Sequence, residues 1–191
     1  MAILHGDADI TPTKPELLAT WLPMQPWFTG DTSALEHLGS YRFDDPDGEV
    51  GMETHLVRAG DGGPVFQVPW TYRGAPLDGA ESLLVGTMDH TLLGPRWVYD
   101  AVGDPVYQSV LATTILTGGS QAELVREFED GRTEILEPRV RVTGSGSDSP
   151  GPAELEVIRV LDGSTREGDA VLTGTWPGVS EPVVLAVAHL R

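Results

Sequence analysis

The sequence predicts an α+β fold in which a curved antiparallel β-sheet is flanked by two main helices and continues into a strand-rich C-terminal extension. Three observations lead to this prediction. Two segments carry helix-capping signals and an apolar face, and they stand far apart in the chain. Between them, strand-like runs alternate with tight turns, which is typical of hairpins and not of βαβ units. After the second helix, further strand-like runs extend towards the C-terminus.

Size and charge restrict the possible functions. The 191 residues suit a single domain with a sizeable core. The 29 acidic residues outnumber the 12 basic ones, and the net charge of −17 argues against partners such as nucleic acid or an anionic membrane. The chain has no cysteine, which excludes disulfides and thiolate metal sites. Because it shows neither a signal peptide nor an apolar run of membrane-spanning length, we expect a cytoplasmic protein.

The first helix is predicted from Lys14 to about Leu22. Thr13 and Glu16 have the spacing of a capping box at its start, and Pro15 suits a first helical turn. Its apolar face consists of Leu17, Leu18, Trp21 and Leu22. Before this helix, a short apolar run at residues 1–5 could add an edge strand, which the polar segment 6–10 closes.

Four strand-like runs follow, at residues 35–43, 50–58, 65–73 and 81–93, and a short extended piece at 96–99 completes them. Proline cannot donate to a β-ladder, so Pro69 indicates an edge position or a bulge in the third run. Gly86 marks a bulge or a close backbone approach in the fourth. The acidic loop 44–49 lacks the spacing of a calcium-binding loop and is predicted to be a turn.

The second helix is predicted to begin with Asp104 as N-cap before Pro105 and to end at Gly118 and Gly119. The strand-like runs beyond it are 125–128, 134–142, 154–161, 170–176 and 182–190. The Gly/Ser-rich segment 143–152 is predicted to be a flexible loop, and residues 153–191 a β-meander too small for an independent domain. We therefore expect one domain over residues 1–191.

No complete catalytic motif is recognisable in the sequence. The glycine-rich segment 143–152 contains no lysine and so is not a phosphate-binding loop. The five histidines are scattered without metal-ligand spacing, and no serine nucleophile elbow is found. Asp89 and His90 are adjacent in a strand, where neighbours point to opposite faces, so they form a pair in sequence only. The sequence therefore predicts no catalytic residue, no metal site and no cofactor.

The densest group of aromatic and charged side chains lies within residues 66–107. By the period of two along a strand, Trp70 and Tyr72 share one face of their strand, and Trp97 and Tyr99 share one face of theirs. The two aromatic pairs could line a groove for a saccharide or a peptide, or they could belong to the core of the sheet with their polar tips at its rim. The candidate residues for binding a ligand or a partner are Trp70, Tyr72, Arg73, Asp89, His90, Arg96, Trp97, Tyr99 and Asp100.

The stretch QVPWTYRGAPLDGAESLLVGTMDHTLLGPRWVYDAVGDPVY resembles the N-terminal cap domain of actinobacterial maltokinases and related aminosugar kinases. The segments PTKPELLATWLPMQPWF and VGMETHLVR are similar to that domain too, so the resemblance covers about residues 1–118. Those kinases phosphorylate maltose with ATP in the route from trehalose to α-glucan. The resemblance implies a cap built as an antiparallel sheet flanked by helices, which in the kinases sits on the nucleotide-binding lobe.

The residues that carry catalysis in those kinases follow the cap, and the resemblance does not extend to them. Lys14 is the only lysine in the chain, and it belongs to the start of the first helix. We therefore expect a stand-alone, non-enzymatic accessory or regulatory protein of α-glucan or trehalose metabolism, which binds a protein partner or forms a homodimer. Two alternatives remain open: a saccharide-binding module that uses the aromatic groove, and an enzyme of unrecognised type that uses Asp89, His90 or Asp100.

Overall fold

A computed structural model describes residues 2–5, 9–128, 130–148, 151–164 and 166–191. Its α-helices are α1 (Lys14–Trp21) and α2 (Pro105–Thr117). The strands in chain order are β1 (Ala2–His5), β2 (Ile10–Thr11), β3 (Leu35–Phe43), β4 (Gly51–Ala59), β5 (Val65–Arg73), β6 (Leu84–His90), β7 (Gly94–Asp100), β8 (Leu124–Glu127), β9 (Thr133–Leu136), β10 (Arg141–Gly144), β11 (Ala153–Val157), β12 (Val160–Leu161), β13 (Ala170–Trp176) and β14 (Val179–Leu190).

The largest element is a seven-stranded antiparallel sheet that is strongly curled, in the manner of a half-barrel. Its strands follow the order β2, β6, β7, β5, β4 and β3, and β12 pairs with β5. The predicted α+β fold is confirmed, with a curved antiparallel sheet, two helices and a strand-rich C-terminal region. Tight turns join β4 to β5 and β6 to β7, which explains the antiparallel pairing.

Both faces of this large sheet are covered by other parts of the chain. On one face, Trp21 and Leu22 at the end of α1 pack into a buried cluster with Phe66 and Val68 of β5. The other face belongs to a second buried cluster, which includes α2 and a four-stranded sheet with the order β10, β13, β14, β11. The large sheet is therefore the middle layer of three, and apolar side chains pack between it and the layer on each face.

The buried side chain of Gln67 in β5 is one connection between the large sheet and the C-terminal strands. Its Nε2 donates hydrogen bonds to the carbonyl oxygens of Ile158 and Leu185, at 2.9 and 2.8 Å. Its Oε1 accepts a hydrogen bond from the hydroxyl of Tyr41 at 2.9 Å. All the polar atoms of this side chain are therefore satisfied inside the protein, as burial of an amide requires.

The starts of both helices agree with the sequence prediction. The side chain of Thr13 accepts a hydrogen bond from the Glu16 N–H, and the Glu16 carboxylate accepts one from the Thr13 N–H at 2.7 Å. Asp104 caps α2 by accepting from the Val106 N–H at 3.0 Å. Gly118 ends α2 with a φ of 70°, a left-handed conformation that glycine adopts without steric cost.

The two irregular positions predicted in the strands have different outcomes. Gly86 lies at a register shift between β6 and β7, so the predicted bulge is confirmed. The edge position or bulge predicted for Pro69 is wrong, because β5 is an interior strand with an unbroken register against β4. Pro69 lies instead between the residues of β5 that pair with β12 and those that pair with β7, where a missing N–H breaks no ladder bond.

The C-terminal region differs from the prediction in several details. The run predicted at 134–142 is two strands, β9 and β10, and the run predicted at 154–161 is also two strands, β11 and β12. Strand β11 pairs with β14 and not with β13, so residues 153–191 do not follow the order of a meander. The first half of segment 143–152 is tied to α2, since the Gly146 and Ser147 N–H groups donate to the carbonyl oxygens of Ile115 and Leu116. Residues 149 and 150 of that segment lie outside the described residues.

The N-terminal run forms the expected edge strand. Strand β1 pairs in parallel with β8, and β8 pairs with β9, so β1 lies at one edge of a three-stranded sheet. Part of the polar segment predicted to close this strand, residues 6–8, lies outside the described residues.

Candidate functional site

A buried carboxylate lies beneath the start of α1. Glu53 of β4 is 6% exposed, and its Oε2 accepts hydrogen bonds from Lys14 Nζ and from Arg42 Nη2, the latter at 2.8 Å. Its Oε1 accepts a hydrogen bond from the Ser40 hydroxyl at 2.9 Å. Two cations and one hydroxyl thus satisfy a single carboxylate, which is the condition under which a charge is tolerated in an interior.

The register of the sheet brings these groups together. In β4, the strand period of two places Glu53 and His55 on the same face. In the antiparallel pairing of β3 with β4, Arg42 lies opposite Glu53, and Ser40 lies opposite His55. Lys14 reaches the same face from the first turn of α1.

Two histidines and a tyrosine extend this arrangement. His37 Nε2 lies 3.2 Å from His55 Nδ1, and His55 Nε2 lies 3.2 Å from the Tyr72 hydroxyl. The ring of His55 also packs edge-on against Trp70, with 5.2 Å between the ring centroids. The connected polar side chains, here named the Glu53 network, are Lys14, His37, Ser40, Arg42, Glu53, His55 and Tyr72.

Burial and charge set the protonation states in the Glu53 network. Burial alone would raise the pKa of Glu53, but the charges of Arg42 and Lys14 outweigh it and hold this pKa well below its usual range. Burial lowers the pKa of His55 to about 3, against the attraction of Glu53, so its imidazole is neutral at pH 7. Burial also lowers the pKa of Lys14, although the Glu53 carboxylate acts in the opposite direction. Glu53 is therefore ionised at pH 7.

Two cavities adjoin the Glu53 network, and Lys14 lines both of them. The first cavity, of about 550 Å³, lies between α1, the β3–β4 loop and the β6–β7 turn. Its polar and charged lining residues are Lys14, Arg42, Asp44, Asp45, Glu49, Tyr72, His90 and Arg96. The second cavity, of about 630 Å³, is lined by His37, Glu53 and His55 together with polar and apolar residues of α1, β3, β4 and the turn before β3. Cavities of this size can hold a small ligand.

The structure brings three of the predicted candidates together at the first cavity. Tyr72, His90 and Arg96 all line it, although they come from three different strands. His90 Nδ1 accepts hydrogen bonds from the N–H groups of Leu92 and Leu93, which shape the β6–β7 turn. Among the described residues, the Arg96 guanidinium donates to the carbonyl of Pro95 and forms no ion pair.

Three other candidates hold the fold together through polar contacts. Arg73 forms a two-pronged ion pair with Asp104, with both N–O distances at 2.7 Å. Asp100 accepts from the Arg159 guanidinium through both oxygens. The Tyr99 hydroxyl accepts a hydrogen bond from the Leu77 N–H at 2.9 Å.

The remaining candidates do not form the predicted aromatic groove. Trp70 is fully buried against Trp21, and Asp89 is exposed on β6. Directly paired residues of neighbouring strands share a face, and β5 pairs with β7 so that Tyr72 lies opposite Val98 and Arg73 opposite Trp97. The pair Trp70/Tyr72 and the pair Trp97/Tyr99 therefore lie on opposite faces of the sheet. One groove cannot contain both pairs.

The Glu53 network was missed in the sequence, although two signals pointed to it. Glu53 and His55 alternate with apolar residues in the strand METHLVR, where charged side chains are unusual unless they are paired. Lys14, the only lysine, stands where helix α1 begins. The pairing of these two signals depends on how α1 docks on the sheet, which the sequence pattern leaves open.

Other kinds of site were sought in the same part of the chain. Among the described residues, no three His, Asp or Glu side chains are grouped so that they could hold a metal ion. No described helix combines the length and the apolar character of a membrane span.

Comparison with known proteins gives one family. A family model described as the maltokinase N-terminal cap domain matches residues 21–104. Comparison with curated proteins finds no match. The matched segment runs from the end of α1 to the N-cap of α2 and includes β3 to β7, which form most of the large sheet. The match is to the cap and not to a catalytic kinase domain. Residues 21–104 are therefore similar to a maltokinase N-terminal cap domain.

Proposed function

We propose that the chain is a non-catalytic, cytoplasmic accessory protein of α-glucan or trehalose metabolism that acts by binding a protein partner. The observation that carries this proposal is the match of residues 21–104 to a maltokinase cap domain. In the kinases that the sequence resembles, the cap lies on another lobe of the protein, and the catalytic groups belong to the parts that follow it. A cap is thus a module for contact with protein.

The surface offers one place where such contact is favoured. Strand β2 pairs with only two residues of β6, so the rest of the outer edge of β6 has no partner strand in the described part of the chain. Leu84 at the start of this edge is 40% exposed, and Leu92 and Leu93 in the next turn are 58% and 47% exposed. Unpaired strand edges and exposed apolar side chains are typical of association surfaces.

The test is a binding measurement with a purified maltokinase from the source organism, by biolayer interferometry. We expect saturable binding that Leu92→Asp together with Leu93→Asp weakens at least about tenfold, because charged groups would have to be desolvated. The matched control is Ile135→Asp in β9, which alters another exposed apolar residue on a different sheet and should leave binding unchanged. Phosphorylation of maltose or glucosamine by the pure chain with ATP and magnesium would refute the non-catalytic role.

Self-association is the other form of protein contact to be tested. Light scattering coupled to size-exclusion chromatography measures the mass of the protein in solution. If the parent chain is a dimer and the Leu92→Asp, Leu93→Asp variant is a monomer, the partner is a second copy of the chain and not a kinase.

A second candidate function is saccharide binding at the first cavity, favoured by the convergence of Tyr72, His90 and Arg96 there. Thermal-shift measurements with maltose, trehalose, glucosamine, maltose 1-phosphate and soluble α-glucan test this function. A ligand at a hundred times its dissociation constant stabilises a protein by about 2.7 kcal/mol, which such a measurement resolves. Arg96→Gln should remove the shift, whereas Trp97→Ala on the opposite face of the sheet should retain it.

A further inference from the structure

Lys14 occupies an unusual position for the only lysine of an acidic protein. Most lysines extend into solvent, but the side chain of Lys14 is 24% exposed and contacts Glu53, with its Nζ 5.5 Å from the centre of the Tyr72 ring. It lines both cavities described above. A small molecule in either cavity would therefore meet this amine.

The surroundings of Lys14 favour an amine that can react. Burial lowers the pKa of Lys14 below its ordinary value of 10.5, so a larger fraction of the side chain is neutral and nucleophilic than for a solvent-exposed lysine. Glu53 stays ionised beside it, because its own pKa is held well below its usual range. A fixed carboxylate stabilises any cation that forms on the Lys14 nitrogen.

The lining of the first cavity indicates the kind of molecule that would reach Lys14. Cationic Arg42 and Arg96 and anionic Asp44, Asp45 and Glu49 line the same space, so neither sign of charge prevails. Phe43 and Tyr72 add aromatic surface. Donors, acceptors and aromatic surface together suit a neutral molecule with several hydroxyl groups, and they offer no advantage to an anion.

We propose that Lys14 is a site at which a small, neutral, hydroxylated aldehyde, such as an open-chain aldose, condenses reversibly to an imine. The neutral Nζ attacks the carbonyl carbon, the C–N bond forms, and the oxygen takes up a proton to give a carbinolamine. Loss of the hydroxyl group as water, with loss of a proton from nitrogen, gives the imine. Amine and aldehyde are thus converted into imine and one water. The protonated imine keeps a positive charge beside Glu53, so the ion pair is preserved.

This inference does not depend on the protein association proposed above. It concerns the amine of Lys14, whereas the association surface is the outer edge of β6 and the β6–β7 turn, which shares Leu93 with the first cavity. Whether or not the chain binds a kinase, the inference about Lys14 is tested separately.

The experiment traps the imine by reduction with cyanoborohydride, which delivers hydride to the imine carbon and leaves a stable secondary amine. The folded 191-residue chain is treated with glyceraldehyde or, in parallel, with propanal, which lacks the hydroxyl groups. Cleavage before aspartate separates Lys14, on peptide 9–30, from the α-amino group, on peptide 1–6. Mass spectrometry of the two peptides then gives the ratio of Lys14 to α-amino labelling. This ratio cancels the intrinsic reactivity of each aldehyde.

We expect the labelling ratio with glyceraldehyde to exceed that with propanal at least about tenfold, the preference that two ordinary hydrogen bonds provide. The preference should vanish in urea, where the cavity is lost. Arg96→Gln, which removes a cavity donor without touching the Glu53 network, should reduce the preference several-fold while its melting temperature stays that of the parent chain.

Two results would overturn the proposal. Equal ratios for the two aldehydes in the folded chain would show that the cavity selects nothing. A third arm uses glyceraldehyde 3-phosphate, and a higher ratio with it than with glyceraldehyde would show that the ligand is an anion and not a neutral molecule. Lys14→Arg, which keeps a cation beside Glu53, must lose the label on peptide 9–30.

Discussion

Replacing Gln67 by leucine tests whether the cap segment and the C-terminal strands fold as one unit. Leucine removes the two donors that satisfy the Ile158 and Leu185 carbonyl oxygens and the acceptor of the Tyr41 hydroxyl. A buried polar group left without a partner costs about 1–3 kcal/mol. The Leu185 carbonyl oxygen keeps a hydrogen bond from the Ile158 N–H, and the Tyr41 hydroxyl keeps its contact with Thr54, so the Ile158 carbonyl oxygen is the group that loses its partner outright. With the apolar gain of leucine as a partial offset, we expect a loss of about 2–3 kcal/mol. That is a large part of the stability of an ordinary domain.

The loss is measured by urea unfolding, with tryptophan fluorescence and hydrogen exchange of separate peptides as probes. Trp70 reports on the large sheet and Trp176 on the C-terminal sheet. We expect both regions to shift together in one transition, since Gln67 joins them. The control is Gln25→Leu, which removes a long, partly buried hydrogen bond of 3.4 Å to the Trp21 carbonyl and should change stability by less than about 0.5 kcal/mol. Separate transitions, or a loss below about 1 kcal/mol for Gln67→Leu, would refute the reasoning.

Three further predictions concern charge and packing. The pKa of His55 is lowered to about 3 in the folded chain, so between pH 6.5 and 3 the unfolded chain binds more protons than the folded one. The free energy of unfolding should therefore fall on acidification by up to about 1.4 kcal/mol per pH unit. In urea unfolding, His55→Gln should show a weaker dependence of stability on pH. Asp104→Ala removes the N-cap of α2 and leaves Arg73 unpaired, so the free energy of unfolding measured by denaturation should fall by about 2–4 kcal/mol. Asp104→Asn keeps a capping side chain and should lower it by less. Trp70→Ala should cost about 3–5 kcal/mol and Trp97→Ala clearly less in the same assay, because Trp70 is fully buried and Trp97 is not. Equal losses would contradict this difference in burial.

Local signals in the sequence were sufficient for the helices and for the class of fold. The capping box at Thr13 and the N-cap at Asp104 act within a few residues, so spacing alone predicts them. The turns between neighbouring strands act locally too, and they lead to an antiparallel sheet. Pro69 was predicted wrongly because its tolerance depends on where two other strands, β7 and β12, stop pairing with β5.

The candidate site depended on relations that are not local. The period of two gives the face that Trp70 and Tyr72 share, but the face of Trp97 relative to them follows from the register between β5 and β7. One residue of slip would have put all four rings on one side. The contact between Lys14 and Glu53 likewise requires α1 to dock across two strands. Tyr72, His90 and Arg96 were named among the binding candidates without a prediction that they meet. Their convergence follows from the pairing of β5 and β6 with β7.

The pairing of β12 with β5 has a practical consequence for any shortened form of the protein. A fragment that ends with the family match at Asp104 would lose β12, α2 and the C-terminal sheet, and with them the cover of Leu56 and Phe43. The hydrogen bond between the Tyr41 hydroxyl and Gln67 would remain, but Gln67 Nε2 would face solvent because the carbonyl oxygens of Ile158 and Leu185 would be absent. Such a fragment would expose a large apolar surface, and its copies would aggregate during expression. Binding studies of the cap therefore require the whole chain.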